Sequence, residues 1–140
     1  MAVPPIGPGG VHHVALQCND LAEMVRFYHK VLRLPIVHRW PAEEGDQPGD
    51  RSVWVGAGRS VLALERCRGP VTRTPWHSDA PGMHLLALQI FLHNRNRWHD
   101  WFDHHGVPVV SESRWTLYIE DPEGNRIGLS HYPEEAEPVA

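Results

Sequence analysis

Residues 12–17 read HHVALQ and residues 84–89 read HLLALQ, and this near-repetition decides the fold. The two hexamers share His, Ala, Leu and Gln at a constant offset of 72 residues, since 84 exceeds 12 by 72. Each hexamer lies in a strand-like segment that precedes an amphipathic helical segment. The sequence is therefore predicted to contain a duplicated module.

Each module is predicted to have the element order βαβββ. In the first, a strand at 11–18 precedes a helix with Asp20 as its N-cap, and in the second a strand at 84–92 precedes a helix capped by Asn94. Three short strands follow each helix, at 36–40, 51–55 and 61–66 in the first module and at 108–111, 115–120 and 126–131 in the second. Gly106 is expected to end the second helix in a left-handed conformation.

The 140 residues fit one globular domain that needs no disulfide to fold. We expect this domain to span 11–133, with loose tails on either side. The domain consists of modules at about 11–66 and 83–132, joined by an irregular Pro/Gly-rich connector at 67–82. The tails are residues 1–10 and 134–140.

Charge and hydropathy exclude several classes of protein. The net charge is −4 and no Lys/Arg cluster is present, which argues against nucleic acid as a partner. No apolar run approaches the roughly 20 residues that span a bilayer, and the first residues do not read as a secretory leader. With two isolated cysteines, these features predict a cytoplasmic protein that is not associated with a membrane.

Six tryptophans are more than the core of so small a domain needs, and aromatic rings are the usual lining of clefts for flat organic ligands. Period-2 alternation places His13 and Gln17 on the face of the first strand opposite the helix, and Leu85 and Gln89 on the same face of its repeat. His12 and His84 are then expected on the helix-facing side. We also expect Trp76, in the connector, to act as a lid or a dimer contact.

Two longer stretches resemble the opening and closing signatures of the vicinal oxygen chelate superfamily. They are VHHVALQCNDLAEMVRFYHKVLRLPIV at 11–37 and YIEDPEGNRIGLSHYP at 118–133. This superfamily contains glyoxalases, bleomycin-resistance proteins and extradiol dioxygenases. The resemblance implies an α+β fold of two βαβββ modules around a U-shaped cleft, a homodimer, and metal ligands from the first and fourth strands of each module. Arg33 stands where the family often has glycine after the first helix.

The four ligand positions that the resemblance implies are only half occupied by donors. The first-strand histidine falls on His13 and the fourth-strand carboxylate on Glu65, whereas their counterparts in the second module fall on Leu85 and Gly128. A Zn, Ni or Fe site needs three or four converging ligands. The sequence therefore predicts a degenerate metal site with no bound cofactor.

Three functions stay open from the sequence. The first is a metal-free protein that binds a small, aromatic organic molecule in a Trp/Tyr-lined cleft. The second is a metal-free enzyme that transfers protons with His13, Glu65 and Tyr118. The third is a divalent-metal lyase, isomerase or dioxygenase that uses His84 or His131 as a substitute ligand. The residues expected to bind the ligand are Gln17, Trp40, Trp54, Leu85, Gln89, Trp115 and Gly128.

Overall fold

The computed structural model describes residues 2–68 and 81–137, and within them the chain forms two successive βαβββ units, as the repeat predicts. The first unit consists of β1 (His13–Cys18), α1 (Leu21–Arg26), β2 (Ile36–Pro41), β3 (Asp50–Ala57) and β4 (Ser60–Arg66). The second consists of β5 (Leu86–Gln89), α2 (Arg95–His104), β6 (Ser111–Glu112), β7 (Thr116–Glu120) and β8 (Arg126–Ser130). Trp76 and most of the predicted connector lie outside the described residues.

Each unit forms one four-stranded mixed sheet. The strand order is β1-β4-β3-β2 in the first sheet and β5-β8-β7-β6 in the second. In both sheets the first and fourth strands of the unit pair in parallel, and the remaining pairs are antiparallel. The second sheet therefore repeats the first, and the predicted α+β architecture of two modules is confirmed.

The first helix begins and ends with identifiable caps. The Asp20 carboxylate accepts a hydrogen bond from the Glu23 backbone amide at 3.0 Å, as the N-cap prediction requires. Beyond Arg26 the helix widens into one π turn, Phe27–Val31. It ends at Arg33, whose φ of 63° is the left-handed conformation that glycine adopts most easily.

The second helix corrects one prediction and confirms another. The Asn94 side chain forms no capping hydrogen bond, because Asn94 already belongs to a 3₁₀ turn, Leu92–Asn94, that leads into α2. Its backbone is helical, at φ −97° and ψ −2°, rather than in the extended conformation that N-caps adopt. Gly106 has the predicted left-handed conformation, with φ 67°.

Two of the predicted strands are shorter in the structure. The first strand of the second module begins at Leu86 rather than at His84, so His84 and Leu85 precede it. The strand expected at 108–111 is reduced to Ser111–Glu112, and Pro108 has no amide hydrogen to donate to a ladder.

The helix-facing sides of both sheets contribute to a single hydrophobic core. Leu16, Tyr28 and Phe102 are buried in it. The indole Nε1 of Trp101 on α2 donates to the Val31 carbonyl at the end of the first helix, at 2.8 Å. The two modules are thus packed together through their helices. No helix in the described part of the chain is long and apolar enough to cross a membrane.

Candidate functional site

Each sheet has an open face, defined as the face turned away from the shared core. On β1 the side chains of Leu16 and Cys18 are buried, whereas His13, Ala15 and Gln17 are exposed on the open face. The ladder extends this face across the first sheet, because directly paired residues project to the same side. The register joins Gln17 to Glu65, Ser52 and Trp40 in one row, and Ala15 to Ala63, Trp54 and His38 in the next.

Aromatic rings form a continuous strip on this open face. The His13 ring stacks on Trp54 at a centroid distance of 5.6 Å and an interplanar angle of 21°. Trp54 meets Trp40 edge to face at 5.8 Å, and Trp40 meets His38 at 4.2 Å. Ala63 lies on β4 between the strands of His13 and Trp54, and its small side chain leaves room for the two rings to meet. We call the five rings of His12, His13, His38, Trp40 and Trp54 the aromatic strip.

His12 corrects a sequence prediction. It was expected beneath the helix, but it precedes β1 and is exposed. Its Nδ1 lies 2.9 Å from Nδ1 of His13, a hydrogen-bond distance at which one ring donates and the other accepts. The alternation of β1 does not extend to residue 12, because the strand begins at His13. His12 is therefore an exposed hydrogen-bonding neighbour of His13 rather than a core residue.

A row of polar side chains crosses the same face next to the strip. Gln17, Glu65 and Ser52 are direct neighbours on β1, β4 and β3. The Ser52 hydroxyl is buried and has no hydrogen-bond partner, although buried polar groups normally have one. A group on a ligand is one means of satisfying it.

The structure does not bring His13 and Glu65 together, although both fall on ligand positions that the resemblance implies. His13 is level with Val61, and Glu65 is level with Gln17, so the two residues are four positions apart along the ladder. At about 3.3 Å per residue this is about 13 Å along the strand direction. The imidazole and the carboxylate cannot orient each other directly across that separation.

The open face of the second sheet has a small hollow at Gly128. Its row contains Ala87, Gly128 and Tyr118, which are paired directly. A Cβ atom on Gly128 would lie 3.0 Å from the Thr116 Cγ2 methyl, 3.5 Å from Leu85 Cδ1 and 3.6 Å from the Tyr118 ring. Leu85, Gly128 and Tyr118 are thus neighbours, as the sequence analysis expected.

Gln89 and Trp115 lie at the margin of this face. Gln89 is exposed, in the row of Ser130 and Thr116. Trp115 is three residues from Tyr118, so the alternation of the strand directs its side chain to the opposite face. It lies at the end of the sheet, where its ring contacts the Tyr132 ring at 5.7 Å and the Arg114 guanidinium at 5.4 Å. The structure therefore separates Trp115 from the other predicted ligand-binding residues.

The repeat also corrects the fourth-strand ligand position. The offset of 72 matches Ala87 to Ala15. Ala87 pairs with Gly128 on β8, and Ala15 pairs with Ala63 on β4. The counterpart of Gly128 in the first module is therefore Ala63, and Glu65 lies two residues beyond it. Of the four positions, only His13 then offers a donor atom.

The residues present do not fit a divalent metal. The space beside Gly128 is bounded by the methyl groups of Thr116 and Leu85, which a glutamate there would have to displace. Within residues 2–68 and 81–137 no group of three or more His, Cys, Asp or Glu side chains could hold a metal ion.

His131 is not available as a substitute ligand. It is buried, and its Nε2 lies 2.8 Å from the Arg95 guanidinium, which can only donate. The Nδ1 atom lies 2.6 Å from the Glu134 carbonyl, to which it donates. Both ring nitrogens are therefore engaged. His84, the other proposed substitute, is exposed ahead of β5 rather than on the helix-facing side that the sequence analysis expected, because the strand begins only at Leu86.

Sequence reasoning missed four residues of these faces: His12, His38, Ser52 and Arg126. Ser52 and Arg126 alternate with Trp54 and Gly128, so period 2 was a signal that could have found them. His38 reaches the strip through a register shift between Ile36 and His38, which no local pattern reveals.

The sequence matches one family over most of its length. Residues 10–129 match the family described as the Glyoxalase/Bleomycin resistance protein/Dioxygenase superfamily. No curated protein is similar enough to the chain to match it.

Solved structures with the same fold cover nearly the whole chain. A lactoylglutathione lyase from Agrobacterium tumefaciens is 24% identical, with a TM-score of 0.64 over 89% of this chain and 95% of that chain. A glyoxalase/dioxygenase from Nostoc punctiforme is 17% identical, with a TM-score of 0.73 over 96% and 100%. The fosfomycin resistance protein FosX from Mesorhizobium loti is 15% identical, with a TM-score of 0.64 over 89% and 92%. At these identities the likeness concerns the fold.

Proposed function

Because this chain belongs to the Glyoxalase/Bleomycin resistance protein/Dioxygenase superfamily, we propose that it binds a small, flat, aromatic organic molecule on the open faces of its sheets, without a metal ion. The observation that carries the proposal is the aromatic strip, in which His13, Trp54 and Trp40 are in ring contact. The superfamily and its fold do not select among the three functions that the sequence leaves open, because one fold supports many chemistries.

The strip is suited to a planar ligand. Its rings already contact one another, so little side-chain freedom is lost when a further ring stacks on them. Trp40 remains 45% exposed, so the apolar surface of its indole is open to a partner. A flat aromatic ligand buries that surface and gains stacking contacts with it.

Polar groups beside the strip would orient the ligand. On the first sheet these are the side chains of His13, Gln17 and Glu65, together with the unpartnered hydroxyl of Ser52. On the second sheet we place the ligand against Tyr118 and Gln89. The hollow at Gly128, bounded by Leu85, gives this second surface its shape.

We further propose that the metal site of the superfamily is degenerate in this chain. His13 keeps a ligating side chain, but Ala63, Leu85 and Gly128 offer no donor atoms. Metal analysis of the purified protein, with calorimetric titration of Zn²⁺ and Ni²⁺, tests this directly. One tightly bound equivalent per chain would overturn it.

A second candidate function is proton transfer, and the contact between His12 and His13 favours it. The 2.9 Å distance between their Nδ1 atoms means that one imidazole donates a hydrogen bond to the other. The acceptor ring thereby orients its neighbour, whose free Nε2 is available to a ligand. In this function Glu65 and Tyr118 are the other acid/base groups, each acting at its own end of the ligand. Product formation from an enolisable or phenolic compound would favour this function over binding alone.

A fluorescence and calorimetric titration with naphthamide, a flat neutral probe, tests the binding function. We expect saturable quenching of tryptophan emission, and a loss of affinity of about tenfold in Trp54→Ala, since one stacked ring contributes about 1–3 kcal/mol. Tyr132→Ala is the matched control, because Tyr132 is an exposed aromatic residue away from the strip. Equal affinities in Trp54→Ala and wild type would overturn the proposal.

A further inference from the structure

The open face of the second sheet presents a cation whose donors are largely unused. Arg126 begins β8, directly opposite Glu120 on β7. Its guanidinium carbon lies 4.6 Å from the centroid of the Tyr118 ring. One Nη atom donates to the Ser111 hydroxyl at 3.4 Å, and the buried Nε has no hydrogen-bond partner.

Two other arginines, Arg95 and Arg39, have donors that are occupied by acceptors of the chain. Arg95 donates to His131, to the Glu112 carboxylate and to the Ser113 carbonyl. Arg39 forms an ion pair with Asp50 at 2.6 Å. Arg126, in contrast, has no carboxylate within ion-pair distance among residues 2–68 and 81–137, although Glu120 is its cross-strand neighbour.

The position of Arg126 is held by the surrounding side chains. The guanidinium lies over the Tyr118 ring, whose π face attracts a cation and keeps the planar group in one orientation. A guanidinium has five donors arranged in a fork that matches the two oxygens of a carboxylate. The half-buried setting of both side chains strengthens such a contact relative to one in bulk water.

We propose that Arg126 and Tyr118 form a subsite for an anionic oxygen group, so that the ligand of this protein is an aromatic carboxylate. Arg126 binds the carboxylate through the remaining N–H donors of its Nη atoms. The Tyr118 hydroxyl, which forms no hydrogen bond within the described residues, donates a further one. The inference rests on the proposed function, which supplies the aromatic part of the same ligand.

Naphthoate and naphthamide are matched probes, since they share the ring system and differ in charge. We expect wild type to bind naphthoate about tenfold more tightly than naphthamide near neutral pH, because a charge-assisted hydrogen bond is stronger than a neutral one. Arg126→Gln should abolish this preference, because it removes the positive charge and leaves only neutral donors. Arg126→Lys should keep part of the preference, because it retains the charge but not the fork.

Arg114→Gln is the control for the overall charge of the protein. Arg114 also lies over an aromatic ring, that of Trp115, but it is exposed and is paired with Glu135. We expect the naphthoate affinity of this variant to stay within about twofold of wild type, since an exposed charge contributes little. Thermal melts of all three variants establish that they are folded.

The outcomes separate this inference from the proposed function. Equal binding of the two probes by wild type, or an equal loss of naphthoate affinity in Arg114→Gln and Arg126→Gln, would overturn the carboxylate subsite and leave the aromatic site standing. Failure of both probes to bind wild type would overturn the proposed function and the subsite with it.

Discussion

Cys18 shows how the surroundings of one residue set its chemistry. Its side chain is fully buried at the end of β1. Burial, reinforced by the negative charges of Glu123 and Asp121, raises the pKa of the Cys18 thiol from 9.0 to about 12. The thiolate is the reactive form of cysteine, so Cys18 is inert in the folded protein at neutral pH.

This raised pKa makes the stability of the protein depend on pH in the alkaline range. The unfolded chain releases the thiol proton near pH 9, whereas the folded chain retains it up to about pH 12. The contribution of Cys18 to stability is therefore full below pH 9 and is lost as the pH rises toward 12. Between pH 8 and pH 10.5 we expect the free energy of unfolding of wild type to fall by about 2 kcal/mol more than that of Cys18→Ala. Urea denaturation of both proteins measures the difference, and parallel pH profiles would contradict the prediction.

Arg33 is strained by its backbone conformation. Its φ of 63° is unfavourable for a residue with a Cβ atom, and it ends the first helix where Gly106, with φ 67°, ends the second. Arg33→Gly should therefore raise the free energy of unfolding by up to about 1 kcal/mol. Chemical denaturation measures this change. Arg59→Gly, at an exposed position without a positive φ, is the control and should not stabilise the protein.

At the scale of elements, the turn between β7 and β8 holds the two modules together. The buried Asp121 carboxylate accepts hydrogen bonds from the amides of Glu123 and Asn125 and from the Tyr28 hydroxyl, the last at 2.8 Å. The Glu123 carboxylate in turn accepts from the amides of Asn19 and Asp20 at the start of α1. Tyr28 in the opening signature and the DPEGN turn in the closing signature are thus joined directly in space.

Removal of the Tyr28 hydroxyl should weaken this connection. Tyr28→Phe leaves the ring in the core but deprives the buried Asp121 of one donor, at a cost of about 1–3 kcal/mol of unfolding free energy. Tyr132→Phe removes the same atom from a residue that is 70% exposed, and should cost less than about 0.5 kcal/mol. Denaturation curves of the two variants that coincide would show that the hydrogen bond does not contribute.

At the scale of the whole molecule, the two sheets each leave one parallel strand at an edge. β1 and β5 have a strand neighbour on one side only within the described residues. An edge strand presents unpaired backbone groups to another chain. Exposed apolar side chains flank these edges: Val11 before β1 and Phe91 after β5, at 65% and 63% exposure. These features favour the homodimer that the resemblance implies, with a two-fold axis relating identical patches.

Sedimentation at micromolar concentration should therefore give twice the monomer mass. Val11→Asp combined with Phe91→Asp places charges beside both edge strands and should shift the protein to a monomer, because buried unpaired charges oppose association. Val110→Asp adds a charge at a comparably exposed position beside β6 and should leave the mass unchanged. A monomeric wild type would contradict the prediction.

Local patterns in the sequence were sufficient for the order of the elements and for the faces of the residues inside the strands. The order βαβββ, the Asp20 cap and the burial of Leu16 and Tyr28 depend on periods of two and 3.6 residues, which operate within a few positions of the chain. The placement of Gly128 near Leu85 followed from the same alternation. Neither the length of β5 nor the role of Asn94 followed from it, because strand and helix ends depend on neighbouring elements.

Only the tertiary structure decided which side chains of different strands meet. It placed Glu65 beside Gln17 rather than beside His13, and it joined Trp54 to rings from β1 and β2. The physical reason is that alternation assigns a residue to a face but leaves its register against other strands open. That register is set by turns, bulges and packing across the whole sheet, and these bring together residues that are distant along the chain.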